Sequence, residues 1–158
     1  MSGGSPPTVD PARSAQMARI RGRDTKPELR VRKALHAAGL RFRLHDRRLP
    51  GAPDIVLPGR NTVVFVHGCF WHRHPGCPAA RMPKSRLEFW KPKLDSNRVR
   101  DSRQSRAIEA LGWRVFVIWE CETKSEVALR ALARRISSLS RRAGHSRAHR
   151  RTASDKVR

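Results

Sequence analysis

The sequence has no tyrosine and only 13 acidic residues, against 35 lysines and arginines in 158 positions. The formal net charge of +22 points to a polyanion: nucleic acid first, an anionic membrane surface second. Long apolar runs are also missing, and none approaches the roughly 18–20 residues that a membrane span requires. The opening stretch MSGGSPPTVDPARS has no apolar h-region, so export is not expected and a cytoplasmic, nucleoid-associated setting is. Cysteine is scarce: Cys69, Cys77 and Cys121 are the three present. An odd count suits a disulfide framework poorly. In a reducing compartment it suits a metal site completed by histidine. What is present, 38% hydrophobic residues and 10 glycines, lies near the globular average and excludes disorder throughout.

Three regions are expected. Residues 1–13, rich in Gly, Ser and Pro, read as a disordered lead, and residues 141–158 as a disordered basic tail that cannot bury enough surface to order itself. Residues 14–140 form one α/β (α+β) domain. Its first helix is signalled by Thr25-Lys26-Pro27-Glu28, a capping box with an early proline, followed by Val31, Leu35 and Ala38 on one face and Gly39 as the stop. Alternation predicts a strand over 40–45. Asp54 opens a short apolar strand, Ile55 to Leu57, which a turn at 58–61 joins to a second strand, Thr62 to His67. Residues 68–92 read as irregular, with Pro83 and Pro92 bracketing a short segment that holds Phe89 and Trp90. Helical spacing resumes near Asp95 and ends at Gly112. The run WRVFVIW over 113–119 predicts a buried central strand, and 127–139 a last amphipathic helix.

The densest chemistry is His67-Gly68-Cys69-Phe70-Trp71-His72-Arg73-His74-Pro75-Gly76-Cys77, three histidines and two cysteines within eleven residues. Cys121 lies just past another strand. Cys69, Cys77, Cys121 and, by spacing, His74 supply the four ligands of a closed structural Zn²⁺ site; buried free thiols are the plain alternative. His67 and His72 are then free for other work. His67 ends a strand whose neighbour begins with Asp54, so a carboxylate and an imidazole can converge. Asp54 there could hold Mg²⁺, and the two histidines could move protons near neutral pH. Turn and loop roles are the alternative for all three. Phe70, Trp71 and Trp90 are either core plugs or surfaces that stack on or wedge between bases. Glu28 reads first as a capping-box residue and second as a site residue.

The runs PGAPDIVLPGRNTVVFVHGCFWHRH, RLEFWKPKLDSNRVRD and LGWRVFVIWEC resemble the very-short-patch repair endonucleases over roughly residues 13–135. The resemblance implies a type II restriction-endonuclease-like core, a central mixed sheet flanked by helices. It implies nicking of double-stranded DNA on the 5′ side of a thymine mispaired with guanine, the product of 5-methylcytosine deamination. Asp54 then matches the Mg²⁺ ligand, with the Val66 main-chain carbonyl as a second contact. His67 and His72 match catalytic residues, and Glu28 belongs to the same site. Cys69, His74, Cys77 and Cys121 match the zinc ligands. Phe70, Trp71 and Trp90 match an aromatic wedge. The stretch 14–23 resembles the family's arm that reaches DNA, with Met17 and Ile20 matching its apolar contacts. One departure is local: Arg73 interrupts the histidine run and the loop to Cys77 is longer by one residue, which leaves His72 as an alternative to His74 on zinc.

A Mg²⁺-dependent, zinc-stabilised mismatch nicking endonuclease is the resulting expectation. It would act as a monomer and away from membranes, with mismatch-repair proteins and a DNA repair polymerase as candidate partners. Two rivals remain at this point: a non-catalytic zinc-stabilised DNA-binding module, and a restriction-type nuclease that cuts both strands.

Overall fold

The computed structural model describes residues 22–141. Met17, Ile20, the lead over 1–13 and the tail over 142–158 lie outside the described residues. The first helix, α1, spans Lys26–Ala37, and its start is the capping box expected: the Thr25 hydroxyl accepts the Glu28 N–H while the Glu28 carboxylate reaches back to the Thr25 N–H. Gly39, at φ +74, turns the chain out of the helix. Strand β1 is shorter than its alternation predicts, only Arg43–Leu44, and both residues are exposed. Leu40 is buried against the core but Leu44 turns outward, because the left-handed backbone of His45 (φ +47) ends the run.

Strands β2 (Ile55–Leu57) and β3 (Thr62–His67) form the antiparallel hairpin, with Ile55 opposite Val64 and Leu57 opposite Thr62. Strand β4 (Arg114–Trp119) lies parallel to β3, placing Trp119 beside His67. The sheet is therefore mixed, in the order β1-β2-β3-β4. This corrects one expectation: β4 is an edge strand among the described residues, not a central one. Its apolar run is only half covered, and Val117 is 39% exposed.

The period-two alternation of the hairpin sorts its side chains onto two faces. Ile55, Leu57 and Val64 meet Val31 and Leu35 of α1 and Leu132 and Ile136 of the last helix, α3 (Glu126–Ser137). Val56, Val63 and Phe65 meet Ile108 of the long helix α2, Leu87–Ala110. Each buried aliphatic side chain contributes about 1.5–3 kcal/mol, so three helices clamp a thin sheet from both sides. Helix α2 begins some eight residues earlier than its spacing suggests. Pro92 sits inside it, where its missing N–H leaves unpaired the carbonyl of Glu88, an exposed residue that water reaches. Phe89 and Trp90 thus belong to the first turn of a helix rather than to a loop. Among the described residues no helix is long and apolar enough to cross a membrane.

Candidate active site and metal centre

The antiparallel pairing of β2 with β3 brings the start of one strand beside the end of the other. Asp54 stands there, and its Oδ2 accepts the Val66 N–H at 2.7 Å. Burial raises the Asp54 carboxyl above its usual range, with the Glu28 carboxylate adding to the rise, and the Val66 N–H opposes both. A carboxylate held in that way suits a cation, and together with the main chain of Val66 it fits the hard-oxygen preference of Mg²⁺.

His67, the last residue of β3, is 8% exposed. Its ring stacks on that of His72 at 4.0 Å between centroids and 7° between planes. His72 Nδ1 lies 2.6 Å from Asp101 Oδ2, so the carboxylate orients the ring and leaves Nε2 pointing the other way. Sequence reasoning missed Asp101. The available signal was spacing: Asn97, one turn earlier on α2, donates to the Trp71 carbonyl at 3.1 Å, so 97 and 101 share the face that meets the loop.

Burial, and then the neighbouring His72, lower His67 from 6.5 to about 4, with Asp101 opposing. The unfolded chain therefore takes up a proton at His67 near pH 6.5 and the folded chain only near 4. Unfolding is accompanied by proton uptake between those values, so stability falls as pH drops through that window. His67→Gln is expected to flatten the decline of melting temperature between about pH 6.5 and 4 relative to the unsubstituted protein. Equal slopes in the two proteins would show that His67 does not contribute.

Glu28 is 3% exposed and does two things at once. Its Oε1 accepts from the Thr25 hydroxyl at 2.9 Å as a helix cap, while its Oε2 accepts from Arg32 at 2.8 Å. His45, which no motif singled out, lies between the two acidic positions: its Nε2 is 3.7 Å from Glu28 Oε2 and its Nδ1 is 4.0 Å from Asp54 Oδ1. Cap and site residue are thus not alternatives for Glu28.

Cys69, His74, Cys77 and Cys121 converge, with one donor atom from each lying within 4.8 Å of the others. His74 Nδ1 is 3.3 Å from Cys121 Sγ and 3.6 Å from Cys69 Sγ. Its ring lies flat on Trp119 at 4.3 Å. His74 thus joins the cysteines while His72 faces Asp101. Burial pushes the Cys69 thiol up to about 12, so a thiolate there calls for an adjacent cation. Cys77 is held below its ordinary value, first by the Ala79 N–H of the 3-10 turn Pro78–Ala80. Three sulfurs and one imidazole nitrogen fit a tetrahedral, borderline-soft metal ion.

Phe70, Trp71 and Trp90 form an edge-to-face cluster, with Phe70 5.1 Å from Trp71 and 5.4 Å from Trp90. Phe89 extends it at 5.2 Å from Trp90 and is 43% exposed. Lys93 sits over both Trp71 and Phe89, at 5.9 and 5.3 Å. Gly68 lets Trp71 fold back, since a Cβ there would meet Trp71 Cδ1 at 3.3 Å. The aromatics are half-exposed at the surface, not sealed in the core.

A mixed sheet flanked by helices, with Asp54 and His67 at its strand ends and His72 stacked on His67 from the loop beyond, is the frame of a restriction-endonuclease-like nuclease. The family model described as DNA mismatch endonuclease Vsr matches residues 8–78. The type II nicking enzyme V.XorIIP of Xanthomonas oryzae is 53% identical over 120 residues, covering 76% of this chain and 88% of the relative. The DNA mismatch endonuclease Vsr of Escherichia coli is 43% identical over 117 residues, 74% of each chain. The type II nicking enzyme V.NmeAIP of Neisseria meningitidis is 44% identical over 124 residues, 78% and 88%. The chain belongs to the Vsr family of DNA endonucleases.

Proposed function

We propose that this endonuclease nicks one strand of duplex DNA on the 5′ side of a thymine mispaired with guanine, opening very-short-patch repair, with Mg²⁺ at Asp54 and Zn²⁺ on Cys69, His74, Cys77 and Cys121. The observation that carries the reading is the convergence of Asp54 with the stacked His67–His72 pair at the meeting of β2 and β3. Two relatives are named as nicking enzymes and one as a mismatch endonuclease, which favours one-strand cutting over the restriction-type rival. The domain is taken as residues 14–140.

Mg²⁺, held by Asp54 and the Val66 carbonyl, would stabilise charge on the scissile phosphate. His67 is unprotonated near neutral pH and so orients or deprotonates the attacking water. His72, aligned by Asp101, is placed to serve the departing 3′ oxygen through its outward Nε2. Glu28 steadies the acidic side of the site. Correcting the mispair after the nick takes strand replacement, which a DNA polymerase would supply.

Selectivity rests on unstacking. Phosphate contacts position a duplex but do not identify a mispair. A mispaired step opens at lower cost than a matched one, so an inserted aromatic converts that difference into discrimination. Labelled duplexes differing only in T:G against T:A test this. With Mg²⁺, one strand of the T:G duplex should be cut and the T:A duplex left intact; equal cutting of both, or cutting of both strands, would overturn the proposal. Trp71→Ala should lower T:G nicking at least tenfold, about 1.4 kcal/mol. Binding to the matched duplex should change far less.

A further inference from the structure

Helices α1 and α3 pack side by side on one face of the sheet, through Val31 and Leu35 of the first and Leu132 and Ile136 of the second. Their outward flanks leave an open groove of about 710 Å³. Ala34, Ala37, Leu129 and Ala133 form its floor, and the small side chains keep the two helix surfaces low where they meet. The rim is basic on both sides: Arg30 and Lys33 on α1, Arg130 and Arg134 on α3, and Lys124 just before α3. Glu126 is the acidic residue of the lining, and Arg130 pairs with it at 2.6 Å. Arg30, Lys33, Lys124 and Arg134 have no acidic partner among the described residues. We propose that this groove is a docking site for an acidic amphipathic helix of a partner protein. The inference goes beyond the nicking reaction and does not depend on which mispair is cut.

Cations gathered around one groove repel each other, and an acidic ligand turns that repulsion into attraction. An amphipathic helix carries an apolar stripe at i, i+3, i+4 and i+7, with charged residues along both edges. The stripe covers the alanine and leucine floor, while the edge carboxylates meet the α1 row on one side and the α3 row on the other. Length agrees with this: at 1.5 Å per residue the twelve residues of α3 run for about 16 Å, room for roughly three turns of a docked helix. Other occupants match the groove less well. The chain's own ends are basic, with three arginines against one aspartate in residues 1–21 and six lysines and arginines against one aspartate in residues 142–158. A second copy would set one basic rim against another. A nucleic-acid backbone would use the cations and leave the apolar floor without a partner. The groove also lies on the sheet face away from α2, whose first turn holds Trp90 against Phe70, so a docked helix leaves the aromatic cluster uncovered.

The probe is a fluorescein-labelled, side-chain-stapled peptide of about twelve residues, with leucine at i, i+3, i+4 and i+7 and glutamate along both edges of that stripe. It is titrated with the full chain and read by fluorescence anisotropy; stapling removes the cost of ordering the helix. A stapled peptide of the same composition, with its leucines spread around the helix, controls for attraction to the basic chain as a whole. The patterned peptide should bind at least about tenfold more tightly than the control. Ala37→Trp fills the groove without changing charge; it should weaken the patterned peptide at least about tenfold and leave T:G nicking at saturating duplex unchanged. Lys33→Glu with Arg134→Glu should weaken it by a similar factor, which preserves the test if the Trp variant does not fold. Arg103→Glu with Arg106→Glu, the same charge change at exposed positions of α2, should cost less than about threefold. The proposal is overturned if the two peptides bind equally, or if the two charge-reversed variants lose affinity equally. It is also overturned if Ala37→Trp abolishes binding to matched duplex, binding to phosphatidylserine vesicles or self-association of the chain, since the groove would then belong to DNA, a membrane or a second copy. Failure of the T:G duplex assay would instead sink the proposed reaction and leave the peptide result standing.

Discussion

Asp54→Asn is expected to lower nicking at least about a thousandfold, roughly 4 kcal/mol of transition-state stabilisation, while leaving duplex binding nearly intact. The amide keeps an oxygen for the Val66 N–H, which now bonds Asp54 at 2.7 Å, so the junction of β2 and β3 retains its geometry. What disappears is the negative charge that a divalent ion needs. Binding to DNA rests instead on the basic residues of the chain, 35 in all, and one half-buried carboxylate contributes little to it. Stability should not fall and should rise slightly in the absence of metal. Burial and Glu28 both push the Asp54 carboxyl upward, so the folded protein holds the ionised form at a cost that increases as pH rises past the ordinary carboxylate range. Removing the charge relieves that cost. Nicking within tenfold of the unsubstituted rate, in a variant that binds DNA normally, would show that Asp54 does not hold the catalytic ion.

How far the sequence foretold this arrangement depended on how local each signal was. The capping box at Thr25 and Glu28 involves residues three apart, and the β2–β3 hairpin is bounded by its own turn, so both could be read directly. The convergence of Cys121 on Cys69, His74 and Cys77 spans about fifty residues, yet it was legible because thiols are scarce and the third of them lies just past a strand. Helix α2 was misjudged at its start because Pro92 normally breaks helices; the exposed surroundings of Glu88, invisible in a linear pattern, are what made it tolerable. WRVFVIW read as central because an apolar run does not say how many neighbours its strand has. The partners Asp101 and His45 were out of reach for the same reason: each gains meaning only from a residue on a different element.

Removing the metal from the cysteine cluster should have the largest effect on the fold. One equivalent of Zn²⁺ is expected to accompany the purified protein. Cys121→Ser should lower the melting temperature by roughly 10 °C or more, corresponding to a loss of at least about 4 kcal/mol at some 2–4 °C per kcal/mol for a chain of this size. The reason is topological. Between β3 and α2 the described chain has one 3-10 turn and no strand, so little backbone bonding holds that loop in place. Three of the four ligands lie on it and the fourth lies just past β4. An ion held there would tie the loop to the sheet edge, and its binding free energy would be folding free energy. The same loop carries Phe70, Trp71 and His72, and Asp101 reaches His72 only if the loop stays put. Chelation should accordingly cost nicking and stability together, and Zn²⁺ should restore both. The unfolded-state penalty also has a proton counterpart: the Cys69 thiol, near 12 without a cation, must ionise to bind, so zinc affinity should fall as pH drops. A chelated, metal-free protein with an unchanged melting temperature would leave the cluster as three thiols and a histidine that merely pack together.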